Sequence, residues 1–100
     1  MTTPDILAVL THTLTRKQLA ERLETNTREV ELGILQARLE GAAIVSDSHG
    51  YRLSTDPSEV YHCARRLRVR AIHQLLTARA LRRTARRMEG IEQRTLGLVA

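Results

Sequence analysis

Residues 15–35, TRKQLAERLETNTREVELGIL, decide how the chain is read, because they set two capped helices one after the other. Thr15 and Gln18 have the T-x-x-Q spacing of a capping box, in which each side chain satisfies a backbone donor of the other's turn. Asn26 and Glu29 repeat the device as N-x-x-E. In the first helix Leu19, Ala20 and Leu23 face one way. In the second, Val30, Ile34 and Ala37 recur at four and three residues, the period of one buried helical face. The hinge falls at Glu24-Thr25, and Leu14 stands where a hydrophobic staple precedes the first cap.

Working outward, Thr3-Pro4-Asp5 reads as a helix start with Thr3 as cap, Pro4 at the first helical position and Asp5 at the positive end of the dipole. This helix is expected to run to about Leu10, with Ile6, Leu7 and Leu10 inward. Downstream, Gly41 ends the helix opened by Asn26. Ala43–Ser46 and Tyr51–Leu53 are β-prone runs around the turn-forming tetrad Asp47–Gly50, which predicts a small hairpin. Asp56-Pro57-Ser58-Glu59 starts a long helix expected to reach about Glu89, with Gly90 as its terminator. The expected fold is mainly α with a small β-hairpin: a domain over residues 1–55, a long Arg-rich helix over 56–89 and a short tail over 90–100.

One hundred residues allow one small domain and an extra element, which leaves little room for a large catalytic cleft. No run of about eighteen apolar residues and no leader-like start is present, so a soluble, cytoplasmic protein is expected. Cys63 is the only cysteine, which excludes an internal disulfide and a multi-cysteine zinc site and suits a small buried apolar residue. Charge divides unevenly: residues 1–58 carry six Lys/Arg against eight Asp/Glu, and residues 59–100 carry ten against three. The C-terminal block points to phosphate or to an acidic protein surface. Fifteen of the sixteen basic residues are Arg, which suits bidentate phosphate contact. With Tyr51 and Tyr61 the only aromatic residues, there is no platform on which single-stranded bases would stack.

The runs LTRKQLAERL, NTREV, LEGAAIVS and GYRL, in that order, resemble the winged helix-turn-helix domains of the biotin-operon repressor and its relatives over about residues 4–54. The chain is also similar to small phage-encoded DNA-binding proteins that append an Arg-rich helix to such a domain. The resemblance implies that helix 26–40 enters the major groove of double-stranded DNA with its N-terminal residues towards the bases. It would place Thr27, Arg28, Glu31 and Leu32 at base edges and Arg16 and Lys17 near a phosphate. The hairpin would offer Ser46, Ser48, His49 and Arg52 to adjacent backbone.

Helical geometry qualifies that expectation. The direction opposite Val30, Ile34 and Ala37 holds Arg28, Leu32, Leu35 and Leu39, so half of the face that would read bases is leucine. Arg28 suits guanine and Glu31 suits cytosine, whereas leucine offers only an apolar contact to a thymine methyl. Glu31 and Asp47 repel phosphate, so the domain alone should bind DNA weakly. Leu35 and Leu39 could instead pack on the hairpin or the long helix, or form a protein interface. Gly33 would let a neighbouring helix or the DNA backbone approach.

In the long helix Val60, Ala64, Leu67, Ala71, Gln74, Ala78, Leu81, Ala85 and Met88 alternate spacings of four and three, a heptad seam with one polar layer at Gln74. Val69, Ile72, Leu76 and Ala80 form a second apolar line. The stretch from Leu67 to Leu81 is therefore expected to be buried on two sides, against the N-terminal domain or in a homodimer. Arg65, Arg66, Arg68 and Arg70, then Arg79, Arg82, Arg83, Arg86 and Arg87, form two clusters that phosphate, an acidic protein or solvent would neutralise.

His12, His49, His62 and His73 are scattered, and no phosphate-cradling or nucleophile motif is present, so no metal, cofactor or catalytic residue is implied and an enzyme is not expected. The expected function is a DNA-binding regulator of transcription acting through the winged helix-turn-helix and the basic helix. The alternative is an adaptor that binds an acidic partner, such as a component of the transcription machinery.

Overall fold

The first helix begins one residue earlier than Thr3-Pro4-Asp5 implies. Thr2, not Thr3, is the cap: its hydroxyl accepts from the Asp5 N–H at 3.4 Å and its own N–H donates to the Asp5 carboxylate at 2.8 Å. That reciprocal box needs a side-chain oxygen acceptor three residues after the cap, which Thr2 has in Asp5 and Thr3, followed by Ile6, lacks. The computed structural model describes the backbone of residues 1–99 and the side chains of residues 1–91. Its elements are α1 (Thr3–Val9), α2 (Arg16–Arg22), α3 (Thr27–Leu39), β1 (Ile44–Asp47), β2 (Gly50–Leu53) and α4 (Pro57–Val99).

The first central box forms in full, whereas at the second cap only the Asn26 half of the expected reciprocal box forms. The Thr15 hydroxyl accepts from the Gln18 N–H at 3.1 Å while Gln18 Oε1 accepts from the Thr15 N–H at 2.9 Å. Asn26 Oδ1 accepts from the Glu29 N–H at 2.9 Å. Both helices end in the same way. Thr25 N–H donates to the Ala20 carbonyl and Glu24 N–H to that of Glu21; Ala42 N–H donates to Ala37 and Gly41 N–H to Arg38. These are Schellman closures, which require a left-handed residue just past the helix. Gly41 supplies it at φ +100°, but at the hinge the residue is Glu24, at φ +53°.

The chain forms two compact units, Met1–Arg65 and a second beginning at Arg66, so the first turns of α4 belong with the N-terminal elements. In the first unit Ile6, Leu10, Leu14, Leu19, Ala20, Val30, Ile34, Ala37 and Ile44 form one buried cluster, with Leu7 and Leu23 packed against it. Gly33 serves α1 rather than DNA. A Cβ there would come within 2.7 Å of Ile6 Cδ1 and 2.8 Å of Met1 Sδ, so the missing side chain lets α1 lie close on α3.

The hairpin pairs antiparallel with Ile44 opposite Leu53 and Asp47 opposite Gly50. A third piece of backbone joins it. Leu14 N–H donates to the Tyr51 carbonyl at 3.0 Å and Tyr51 N–H to the Leu14 carbonyl at 2.8 Å, so β2 pairs with the link between α1 and α2. Gly50 is needed twice here: its φ is +132°, and a Cβ would collide with the Leu14 carbonyl oxygen.

Asp56 caps α4 as its sequence implies, its carboxylate accepting from the Ser58 N–H at 3.0 Å. The far end differs from expectation, since the helix continues through Gly90 to Val99. Glycine stops a helix by turning left-handed, as Gly41 does; Gly90 keeps a negative φ, and helix-tolerant residues follow it. Within the second unit the expected two-sided burial of Leu67–Leu81 is not met in the single chain, where Leu67, Val69, Ile72, Leu75, Leu76 and Leu81 are all exposed.

Candidate nucleic-acid interface

Burying Val30, Ile34 and Ala37 turns the rest of α3 outward. Thr27 and Arg28 lie exposed in its first turn, just after the Asn26 cap, and Glu31 and Leu32 are exposed one turn on. Leu32, Leu35 and Leu39 are 50 %, 53 % and 73 % exposed, so neither the hairpin nor another element of the first unit covers Leu35 or Leu39. The outer face of α3 is thus a cation followed by an open leucine stripe.

The Thr15 cap sets Arg16 and Lys17 in the exposed first turn of α2. Arg16 is not isolated there, because its guanidinium is ion-paired with the Glu31 carboxylate. The structure therefore brings together one residue expected at a phosphate and one expected at a base edge. The hydrogen bond from Arg16, reinforced by the opposite charge, raises the already high Arg16 pKa. Thr27 and Arg28 are adjacent on α3 but belong to no such pair in the described hydrogen bonds.

At the hairpin turn Ser48 and His49 are exposed, their side chains 3.1 Å apart at Ser48 Oγ and His49 Nδ1. Asp47 Oδ1 accepts from the His49 N–H at 2.8 Å, and Arg52 donates to Asp47 at 2.5 Å. The backbone bond first, and Arg52 second, hold the Asp47 carboxyl below its usual range. Arg52 also pairs with Glu59 in the first turn of α4, and Glu59 accepts from Ser54 Oγ at 3.0 Å. With two carboxylates on it, Arg52 ties the hairpin to α4 and has little charge left for a phosphate. Ser46 is half-buried and its hydroxyl accepts from Arg38 at 3.3 Å, so it too faces inward chemistry.

No known protein family, curated protein or solved structure matches the chain.

One arginine that the sequence reading left unassigned is built into the fold. Arg38 Nε donates to the Ile44 carbonyl at 2.8 Å, its Nη2 lies 4.0 Å from Cys63 Sγ, and its guanidinium stands 5.9 Å from the Tyr51 ring centre. It joins α3, both strands and α4, and Cys63 is buried beside it. The only sequence signal for this role is position, since Arg38 falls in the last turn of α3 one residue after Ala37.

Arg65, Arg66, Arg68, Arg70, Arg79, Arg82, Arg83, Arg86 and Arg87 are exposed along α4. Between Glu59 and Glu89 the sequence holds no acidic residue. Among the described residues no group of three His, Cys, Asp or Glu side chains converges as a metal site would need. No described helix is long and apolar enough to cross a membrane.

Proposed function

We propose that residues 1–55 form a winged helix-turn-helix and that the chain is a DNA-binding regulator of transcription, acting in the cytoplasm of a bacterial host. In this reading α3 enters the major groove of double-stranded DNA, β1 and β2 are the wing, and the α4 arginines hold phosphates. The observation that carries it is the first turn of α3: Thr27 and Arg28 are exposed on a helix whose opposite face is buried, in the position from which such helices reach base edges. Arg28 is the residue assigned to a base, with the bidentate geometry that guanine accepts. Lys17, Ser48 and His49 contribute backbone contacts.

Affinity is assigned mainly to α4. Nine exposed arginines between residues 65 and 87, with no intervening acid, supply the sequence-independent attraction that the near-neutral N-terminal unit lacks. The test is a salt titration of binding to genomic and to random double-stranded DNA. Five or six phosphate contacts give a slope of log K against log salt of about −5, at about −0.9 per contact. A slope near zero would sink the reading.

The exposed leucines of α3 favour a second reading, in which the outer face of α3 and the basic helix grip an acidic protein such as a component of the transcription machinery. Replacing Leu35 and Leu39 by Gln separates the two. DNA binding persists under the first reading, and partner binding is lost under the second.

A further inference from the structure

Helix α4 carries a seven-residue alanine period. Ala64, Ala71, Ala78 and Ala85 recur at every seventh position, and three residues after the first three stand Leu67, Gln74 and Leu81. Leu67 and Leu81 are 38 % and 64 % exposed and the alanines are exposed with them, so one chain leaves the seam uncovered. A heptad seam is covered by a second helix of the same period.

The alternation of small and large residues decides the direction of that helix. In a parallel pair like meets like, alanine on alanine and then leucine on leucine, so narrow and wide layers alternate and no single helix spacing packs both. In an antiparallel pair each alanine meets a larger residue, and every layer has a similar volume. Because the period runs through the whole seam, a second copy of this chain fulfils the condition from both sides at once, as two-fold symmetry requires.

Charge then selects the register. With Ala64 opposite the partner's Leu81, Leu67 opposite the partner's Ala78 and Ala71 opposite the partner's Gln74, the flanking Arg68 meets the partner's Leu75 and Arg70 the partner's Thr77. Sliding one heptad in one direction sets Arg68 against the partner's Arg82. Sliding one heptad in the other sets Arg68 and Arg70 each against its own copy. Like charges in flanking positions disfavour both slides.

We infer that the Ala64–Leu81 seam of α4 pairs antiparallel with the same seam of a second copy, alanine against leucine, about a two-fold axis between Ile72 and His73. This sharpens the homodimer expected from the heptad spacing and does not depend on the DNA reading.

The test uses the full chain with Cys63→Ser and one new cysteine at a time, Leu67→Cys, Gln74→Cys or Leu81→Cys, under oxidation, with sedimentation for mass and circular dichroism for helix content. Gln74 lies beside its own copy at the axis, whereas residues 67 and 81 lie about 16 Å and 25 Å from their own copies at 1.5 Å per residue. The chain is expected to sediment as a dimer, with only Gln74→Cys cross-linking to itself, and mixed Leu67→Cys and Ala78→Cys chains cross-linking to each other. A monomer at every concentration overturns the inference, as does a dimer in which all three single variants cross-link, the parallel outcome, or none does. The same variants with native Cys63, which is buried, guard against a loss of fold from Cys63→Ser.

Discussion

Arg16, in the first turn of α2, is ion-paired with Glu31, in the second turn of α3, across the hinge between the two helices. Both side chains remain about half exposed, so the pair is wet and breakable. Its effect falls on binding rather than on folding, because Glu31 holds a cation that a phosphate would otherwise take. Glu31→Gln is expected to raise affinity for DNA of any sequence and to steepen the salt slope by about 0.9, one extra phosphate contact. Unchanged affinity and slope would remove Arg16 from the interface.

Arg28 has a different signature. Arg28→Ala is expected to cost about 1–3 kcal/mol at a cognate site and to relax preference at one base pair, with little loss on random DNA. Competition binding against single-base operator variants measures it. An equal loss on every sequence would reassign Arg28 to phosphate.

Two positions with positive φ, Glu24 at the end of α2 and Gly50 at the hairpin turn, predict opposite responses. Glu24 adopts a left-handed conformation that a side chain disfavours, at φ +53°. Glu24→Gly should stabilise the fold by about 1 kcal/mol, the relief of strain exceeding the added flexibility of the unfolded chain. Gly50→Ala should destabilise it by about 2 kcal/mol or more, since it adds both strain and a collision with the Leu14 carbonyl. Urea unfolding of the two variants checks both signs.

Arg38→Ala removes a charged donor from the Ile44 carbonyl in a half-buried place, and should cost about 1.5–3 kcal/mol. Arg38→Lys should recover only part of this, because an ammonium cannot reproduce the planar fork that serves Ile44 and Ser46 together. Full recovery by lysine in thermal melts would mean that charge alone matters there.

Acid should weaken the fold through three carboxylates. Asp5 is held below its usual range by the Thr2 N–H, Glu40 by the Thr3 hydroxyl and then Gln36, and Asp47 by the His49 N–H and then Arg52. A lowered folded-state pKa contributes stability that is present above the unfolded value and is lost as pH falls through the folded one. The melting temperature should therefore be flat near neutrality and drop below about pH 4, the ordinary carboxylate range. Asp47→Asn should lower the neutral-pH value and make the acid-side decline shallower. A decline as steep as that of the parent would show that Asp47 contributes none of it.

Much of the first unit was legible because its signals are local. The Thr15–Gln18 box, the Asn26 cap, the Gly41 stop and the Asp56 start each involve residues within four of one another, where helical geometry alone fixes who meets whom. The inward faces of α2 and α3 follow from the same period. Thr2 and Thr3 show the resolution of such signals: adjacent residues of one type are told apart only by which has a side-chain acceptor three places on.

What stayed hidden depends on residues far apart in the chain. Nothing around Leu14 marks it as a strand partner, and its pairing with Tyr51 exists because the packed helices bring the α1–α2 link beside β2. Arg16 and Arg52 read alike as exposed cations until Glu31, Asp47 and Glu59 are placed next to them.

The opening stretch therefore divides cleanly. Capping and periodicity, properties of a few consecutive residues, determined by themselves that TRKQLAERL and NTREVELGIL are two helices with one buried face each. Only the tertiary structure decided that Arg16 is answered by Glu31 while Arg28 faces solvent, because the energy of a charge depends on its neighbours in space, which sequence order does not specify.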